Sequence, residues 1–410
     1  MVRNVELFKK IDSYINSLGQ IGIKDGIRWR SIFTEADREA KMLFKDFIEK
    51  EGLVASEDAV GNVYGRLENS EDYDNVKKVL VGSHIDTVRD GGAFDGAAGM
   101  IIGLLAVAES IKRFGSPKIP IEVIALAEEE GSRYSMAYVG SKAIVHGLGE
   151  KELNIEDENG ISFKNAMFQA GYDPKQVAKA KRGDILTYME AHIEQGPVLE
   201  KTASKIGIVE RINGIFCLEV EIVGREDHAG TTPMDMRQDS LVAAAKFIAK
   251  LPDITAKISR SATATVGKIK VEPGSSNVVP KKTTFTIDFR DMDSDNLRML
   301  NHAIQLELDH LQENDVRVSY RLAASELPVD LDKNLVDLCE RVVKDMEIPY
   351  QKMNSGAGHD AQIFAERFPS MLLFIPCKNG RSHSPVEHAS SDDMYMAVEV
   401  FVGMLRKIAW

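Results

Sequence analysis

The stretch Lys78-Val-Leu-Val-Gly-Ser-His84-Ile-Asp86-Thr-Val-Arg-Asp-Gly-Gly-Ala-Phe-Asp95-Gly96 decides how this chain is read. A short apolar run delivers one histidine and then two aspartates into a glycine-rich loop. Strand interiors bury apolar side chains, and the loop just past a parallel strand is where α/β proteins present their chemistry. The arrangement recurs at Ile121-Glu-Val-Ile-Ala-Leu-Ala127, which runs into Glu128-Glu129-Glu130-Gly131. Three adjacent carboxylates repel one another in a dry pocket, and a divalent cation would turn that liability into a site.

Outward from these two runs, the pattern alternates between strand and helix. Val5, Phe8, Ile11, Ile15 and Leu18 fall at helical spacing, and Thr34-Glu-Ala-Asp37 is a helix-start pattern leading into Leu43, Phe44, Phe47 and Ile48. Short strands near Leu53-Val54, Val63-Tyr64, Val79–Val81 and Val123–Leu126, with a helix over Gly99–Ser110, imply a mostly parallel sheet covered on both faces. Near residue 207 the grammar changes. Ile206–Val209 and the alternating Cys217–Val223 read as strands. A helix over Gln238–Lys250, strands at Thr263–Val271 and Thr283–Phe289, a helix over Ser294–Leu311 and a strand at Val316–Arg321 follow. This block has the size and pattern of a self-contained antiparallel α+β insert. After Pro328 the first pattern resumes, with a helix near Leu335–Met346, a strand Met371–Ile375 and a closing helix Asp393–Lys407. The expected division is 1–209 and 327–410 for one domain, with 210–326 inserted.

With 410 residues, 44% hydrophobic and 28% charged, the chain is an ordinary globular sequence too long for one core. A net charge of -12 without a Lys/Arg cluster argues against a nucleic-acid surface. The longest apolar stretch, Gly99 to Ala108, is about half a membrane span. Met1–Lys10 lacks the apolar region and cleavage site of a secretion signal. Cys217, Cys339 and Cys377 are isolated and odd in number, and read as reduced packing residues of a cytoplasmic protein.

The residues at strand ends are His84, Asp86, Asp95, Glu128, Glu129, Glu130, His192, His359, Asp360, His383 and His388. Imidazole and carboxylate ligands suit zinc, manganese or cobalt. Two such ions need a bridging carboxylate and about two further ligands each. His146, His302 and His310 read as ordinary histidines. His192 lies in Glu190-Ala-His192-Ile-Glu-Gln195-Gly-Pro197 and His383 in Gly380-Arg-Ser-His383-Ser-Pro-Val-Glu387. Spacing alone leaves both open between ligand and bystander.

Several further motifs join these: Gly91-Gly92-Ala-Phe-Asp95-Gly96, Glu128-Glu-Glu130-Gly-Ser-Arg133-Tyr134, Gly224-Arg-Glu-Asp-His228-Ala-Gly-Thr-Thr-Pro233-Met, Ser276-Asn277-Val-Val-Pro280, Ser355-Gly-Ala-Gly358-His359-Asp360 and Ser382-His383-Ser-Pro385. In this order, over nearly the whole chain, they resemble the allantoate amidohydrolase, N-carbamoyl-L-amino-acid hydrolase and β-ureidopropionase group of dinuclear metal amidases. That group is similar in turn to aminoacylases and zinc carboxypeptidases. The resemblance implies a zinc-exopeptidase-like α/β fold: a mixed, mostly parallel sheet flanked by helices, with an inserted α+β domain that dimerises and acts as a lid. It implies two divalent ions per subunit, zinc, manganese or cobalt, held by His84, Asp95, Glu130, His192 and His383, with Asp95 bridging. Asp86 would hold the His84 imidazole in its metal-binding tautomer, and Glu129 would be the general base, reaching a metal-bridging water. Glu128 points to the other side of the strand and reads as a bystander.

The same resemblance assigns Gln195, His228, Asn277, Arg290 and Gly358 to the substrate. His228 would polarise the scissile carbonyl, in its own site or in that of the partner of a homodimer. Arg290 suits two-point capture of a carboxylate, although on the residues alone a salt bridge to Asp288 or Asp291 is the simpler reading. The implied substrate is a small ureido carboxylate. Gly358-His359-Asp360-Ala-Gln362-Ile-Phe364-Ala and Ile408-Ala-Trp410 look closer to allantoate amidohydrolases, whereas Gly380-Arg381-Ser-His383-Ser-Pro fits the carbamoyl amino-acid enzymes as well. An aminoacylase or metallopeptidase would share the metal set but lack the pattern of Gln195, Asn277 and Arg290. A binding protein without catalysis would need a broken ligand or base, and none is broken.

Overall fold

The hydroxyl of Thr34 accepts the backbone N–H of Asp37 at 3.3 Å and starts helix Glu35–Lys50, as the Thr34-Glu-Ala-Asp37 pattern predicts. The structure is a computed structural model that describes residues 4–67, 76–134, 136–311 and 316–410; Met1–Arg3, part of the stretch read for a secretion signal, lie outside them. No helix among the described residues is long and apolar enough to cross a membrane.

The chain divides into two units, one of Met1–Glu210, Asp330–Met353 and His359–Trp410, the other of Arg211–Val329 with Asn354–Gly358. The first is built on a nine-stranded mixed sheet. Its centre is parallel: Ser370–Ile375 beside Ile185–Ile193, then Lys78–His84, then Ile121–Leu126. Antiparallel strands flank that centre, with Val63–Arg66 and Val54–Glu57 on one side and Ile206–Ile212 on the other. Lys78–His84 and Ile121–Leu126 are buried at every residue. Helix Ala97–Phe114 is buried continuously from Ala97 to Val107, so this sheet is covered rather than wet.

Strand Ile185–Ile193 is the element the pattern reading left unmarked, apart from its end at His192. Eight of its nine residues are buried, but they include Thr187, Glu190 and His192. Buried polar side chains break the apolar run by which such a strand is recognised.

The second unit is a four-stranded antiparallel sheet in the order Thr263–Glu272, Lys282–Asp291, Gly214–Val223, Arg317–Glu326. Burial alternates strictly along Gly214–Val223 and Lys282–Asp291. Phe216, Leu218, Phe285 and Ile287 therefore face one side, where they pack with Phe247 and Leu300 of helices Ser240–Ile258 and Ser294–His310. The first helix overruns its expected end at Lys250 and passes Pro252. Leu251 and Thr255 continue its buried stripe, and their burial outweighs the hydrogen bond that a proline cannot donate.

Candidate metal centre

Four strand ends of the first unit deliver the site. His84 closes Lys78–His84, and Asp95 sits just before helix Ala97–Phe114. His192 is the penultimate residue of Ile185–Ile193. Glu129 and Glu130 follow Ile121–Leu126, and His383 follows Ser370–Ile375. Gly96 makes the first turn possible. Its φ is +64°, and a Cβ there would lie 2.4 Å from the His84 carbonyl oxygen and 2.5 Å from the imidazole.

The two carboxylate oxygens of Asp95 face different partners. Oδ1 lies 3.0 Å from His192 Nε2 and 3.3 Å from His84 Nε2, whereas Oδ2 lies 3.4 Å from His383 Nε2. His383 Nε2 is also 3.2 Å from Glu130 Oε1. The result is two ligand groups that share Asp95: His84, Asp95 and His192, and Asp95, Glu130 and His383. A third group joins His84 to Glu129 and Glu130.

The tautomers suit ligation. His192 Nδ1 lies 2.9 Å from the Ile193 carbonyl oxygen, which can only accept, and the Gly96 N–H points at Nε2 from 3.3 Å. The ring is thereby held with Nε2 bare. That atom lies 3.4 Å from His84 Nε2, a close approach that a shared cation would explain. Asp95 Oδ1 and Glu130 Oε1 are buried acceptors with no hydrogen-bond donor among the described residues. Unpaired buried acceptors converging with bare imidazoles fit a divalent cation.

The charges of the cluster act strongly on one another. Burial is the largest influence on Glu129 and pushes its carboxyl well above the usual range; Glu130, Asp360 and Asp86 add to the rise and His84 opposes it. Burial also pushes Asp95 up, but the histidines outweigh it and hold that carboxyl well below its ordinary value. His383 is raised to about 10 by its contacts with Asp95 and Glu130. Acids pushed up by burial and one another, beside imidazoles that hold a proton near them, are the crowding that a divalent cation would relieve.

Asp86 does more than face the imidazole. Its Oδ1 lies 3.3 Å from His84 Nδ1, and its two oxygens accept the backbone N–H groups of Glu129 at 2.9 Å and Glu130 at 3.1 Å. One aspartate thus holds both the imidazole and the loop that carries the two acids. Glu128 faces away from the cluster, yet it is fully buried and accepts the N–H groups of Ile32 at 2.9 Å and Arg133 at 3.1 Å. It is a loop fastener rather than a bystander. His359 stacks edge-on against His192 with ring centres 4.5 Å apart. Glu190, absent from the sequence inventory, accepts from Ser83 Oγ at 2.8 Å and from the Ala361 N–H at 2.9 Å.

The residues expected at the substrate fall in both units. Gln195, at φ +57°, donates through Nε2 to Asp95 Oδ2 at 2.7 Å, and its Oε1 is buried with no donor among the described residues. His228 and Asn277 come together in the second unit: strand Asp227–His228 pairs with Val278–Val279, and the Ala229 N–H donates to the Asn277 carbonyl at 3.0 Å. Arg290 closes its fork on Asp288, with Nε at 2.8 Å and Nη2 at 3.0 Å, and Nη1 donates to the Gly356 carbonyl. Gly358 ends the short segment Asn354–Gly358 of the same unit. The salt bridge to Asp288 that the residues alone suggested is present.

The sequence model described as peptidase family M20/M25/M40 matches residues 80–407. Allantoate amidohydrolase of Escherichia coli (strain K12) is 39% identical over 388 residues, covering 93% of this chain and 93% of that protein. N-carbamoyl-L-amino-acid amidohydrolase of Pseudomonas sp. (strain NS671) is 36% identical over 400 residues, covering 96% of each. The crystal structure of an amidase of the hydantoinase/carbamoylase family from Burkholderia multivorans superposes with a TM-score of 0.85 at 29% identity, over 98% of this chain and 97% of that one.

Proposed function

Since the chain belongs to peptidase family M20/M25/M40, we propose that it is a metal-dependent amidohydrolase that cuts a ureido C–N bond of a small carboxylate, with allantoate as its substrate. The observation that carries the reading is the pair of ligand groups sharing Asp95, with the buried Glu129 carboxylate beside them.

In this reading His84, Asp95, Glu130, His192 and His383 would hold two divalent ions, zinc, manganese or cobalt, with Asp95 common to both. Bound there, such ions acidify water and polarise a carbonyl. Glu129 takes the proton of the attacking water and returns it to the departing nitrogen. Water adds to the ureido carbon, the C–N bond breaks, and the carbamate left behind falls to ammonia and carbon dioxide. Asp86 keeps His84 and the loop that carries Glu129 and Glu130 in register. Gln195, His228, Asn277, Arg290 and Gly358 hold the substrate, with His228 at the carbonyl. For Arg290 to grip the substrate carboxylate, its fork must leave Asp288. The insert, 210–326, serves as lid and dimer contact of a cytoplasmic homodimer that recovers nitrogen from purine breakdown.

The second substrate reading is an N-carbamoyl-L-amino acid or N-carbamoyl-β-alanine. The first is supported by a relative of that name at 36% identity, close to the 39% of the allantoate enzyme. Ammonia release from allantoate, several N-carbamoyl-L-amino acids and N-carbamoyl-β-alanine, with added Mn, Zn or Co, tests the choice. Faster turnover of N-acyl amino acids or dipeptides than of any ureido compound would overturn both readings.

A further inference from the structure

Gly92 has no room for a side chain: a Cβ there would meet Glu387 Oε1 at 2.0 Å and Glu387 Cβ at 2.5 Å. The carboxylate that fills this space is only 5% exposed. Its Oε1 accepts the backbone N–H groups of Phe94 at 2.9 Å and Asp95 at 3.0 Å. Its Oε2 lies 2.8 Å from Ser382 Oγ, and the same hydroxyl lies 2.8 Å from Asp95 Oδ2. Ser382 immediately precedes His383. One side chain therefore ties the loop that carries Asp95 to the loop that carries His383, across a separation of 292 residues.

We propose that Glu387 is a positioning residue of the metal centre, which aims the two oxygens of Asp95 at the two ligand groups. The inference rests on the reading of Asp95 as a shared metal ligand. The backbone bonds from Phe94 and Asp95 fix where the Asp95 side chain starts. The bonds from Ser382 and Gln195 to Oδ2 fix its rotation, so that Oδ1 is turned to His84 and His192. A bridging carboxylate rotated out of that plane offers both oxygens to one group and leaves the other short of a ligand. A buried oxygen that accepts two backbone N–H groups at once fits a carboxylate, whose hydrogen bonds are charge-assisted, and the one Ser382 hydroxyl proton is shared between Glu387 Oε2 and Asp95 Oδ2. A brace of this kind matters to the ligands more than to the fold, because outer partners of metal ligands control affinity.

Two variants separate reach from charge. Glu387→Asp keeps the charge but is one methylene too short to serve all three donors, and should weaken zinc binding by about 10–100-fold. Glu387→Gln loses the charge and keeps the reach. Its carbonyl oxygen can accept both backbone N–H groups and its amide can donate to Ser382 Oγ, so its affinity should stay within about threefold of the parent. Zinc dissociation constants are read by titrating metal-stripped, folded protein against a chromophoric chelator, with the melting temperature of the stripped protein alongside. A purely structural brace would lower the melting temperature and leave the dissociation constant alone. The inference is overturned if Glu387→Asp binds zinc like the parent, or if Glu387→Gln is as weak as Glu387→Asp. Asp95→Ala separates the two levels of the argument. If it binds zinc as tightly as the parent, the assignment of the metal to Asp95 fails, whatever Glu387 does.

Discussion

Replacing Glu129 by glutamine keeps the shape of the side chain and removes its capacity to accept a proton. Turnover of the best ureido substrate should fall by about 10²–10⁴-fold, while elemental analysis finds the parent's metal content. Equal metal loss in Glu129→Gln and Glu130→Ala would place Glu129 among the ligands instead. Asp95→Ala should lose both ions, because the two ligand groups proposed to hold them both need that carboxylate and their mutual repulsion would go unscreened. His84→Ala, by contrast, should mainly empty the group it shares with His192. Legibility at this scale follows chemistry. Histidines and acids at strand ends stand out because few structural roles suit them there. Glu387 and Glu190 do not, since a buried acid that accepts backbone N–H groups looks on paper like any surface glutamate.

At the scale of elements, helix Ser240–Ile258 starts at Asp239, whose side chain accepts the N–H groups of Leu241 and Val242, each at 3.0 Å. Asp239→Ala should cost about 1 kcal/mol, read as a lower denaturation midpoint with unchanged metal affinity. Lys78, at the start of the strand that ends in His84, donates to Asp184 Oδ2 at 2.6 Å, and Arg182 bonds the same carboxylate. Burial pushes the Asp184 carboxyl up, but Arg182 and Lys78 together hold it well below the ordinary 3.8. A depressed carboxyl stabilises the fold above its unfolded value and loses that contribution as the pH falls towards its folded one. The gap in melting temperature between the parent and Asp184→Asn should therefore be largest near about pH 6 and narrow towards about pH 3. A gap that widens on acidification would refute the sign. The strands that hold the first ligands were legible as apolar runs. Ile185–Ile193 was not, because the polar residues that make it useful, Glu190 and His192, disguise it.

For the whole molecule, the proposed metal would be linked to the fold. Ions that bind only the folded chain, present at about 100 times their dissociation constant, contribute on the order of 2.7 kcal/mol each. Chelation should therefore speed amide hydrogen exchange in Lys78–His84 and Ile185–Ile193. It should leave Gly214–Val223, which has a core of its own in the second unit, unchanged. Equal acceleration in both would mean that the metal stabilises something other than the centre around Asp95. The alternation of strand and helix and its break near residue 207 made the two-part build legible, since each pattern follows from which faces are dry. The order of strands could not be read that way, because no local pattern says where a late strand will insert.

That insertion has a consequence for the chain as it is made. Strand Ser370–Ile375 lies between Ile185–Ile193 and Ile206–Ile212, yet both neighbours leave the ribosome long before it. At about 5–20 residues per second, the interval between Ile193 and Ile375 lasts on the order of 10–40 s. For that time the nascent sheet is a zip with a missing row of teeth, its facing edges open to chaperones, to proteases and to other nascent chains. Nascent chains arrested before Ser370 should be cut readily by protease within Ile185–Ile193, and chains released after Ile375 should not. Equal resistance in both would mean that another segment shields the gap. Because His383 emerges later still, the newborn protein cannot bring Asp95, Glu130 and His383 together until the gap in its sheet can close.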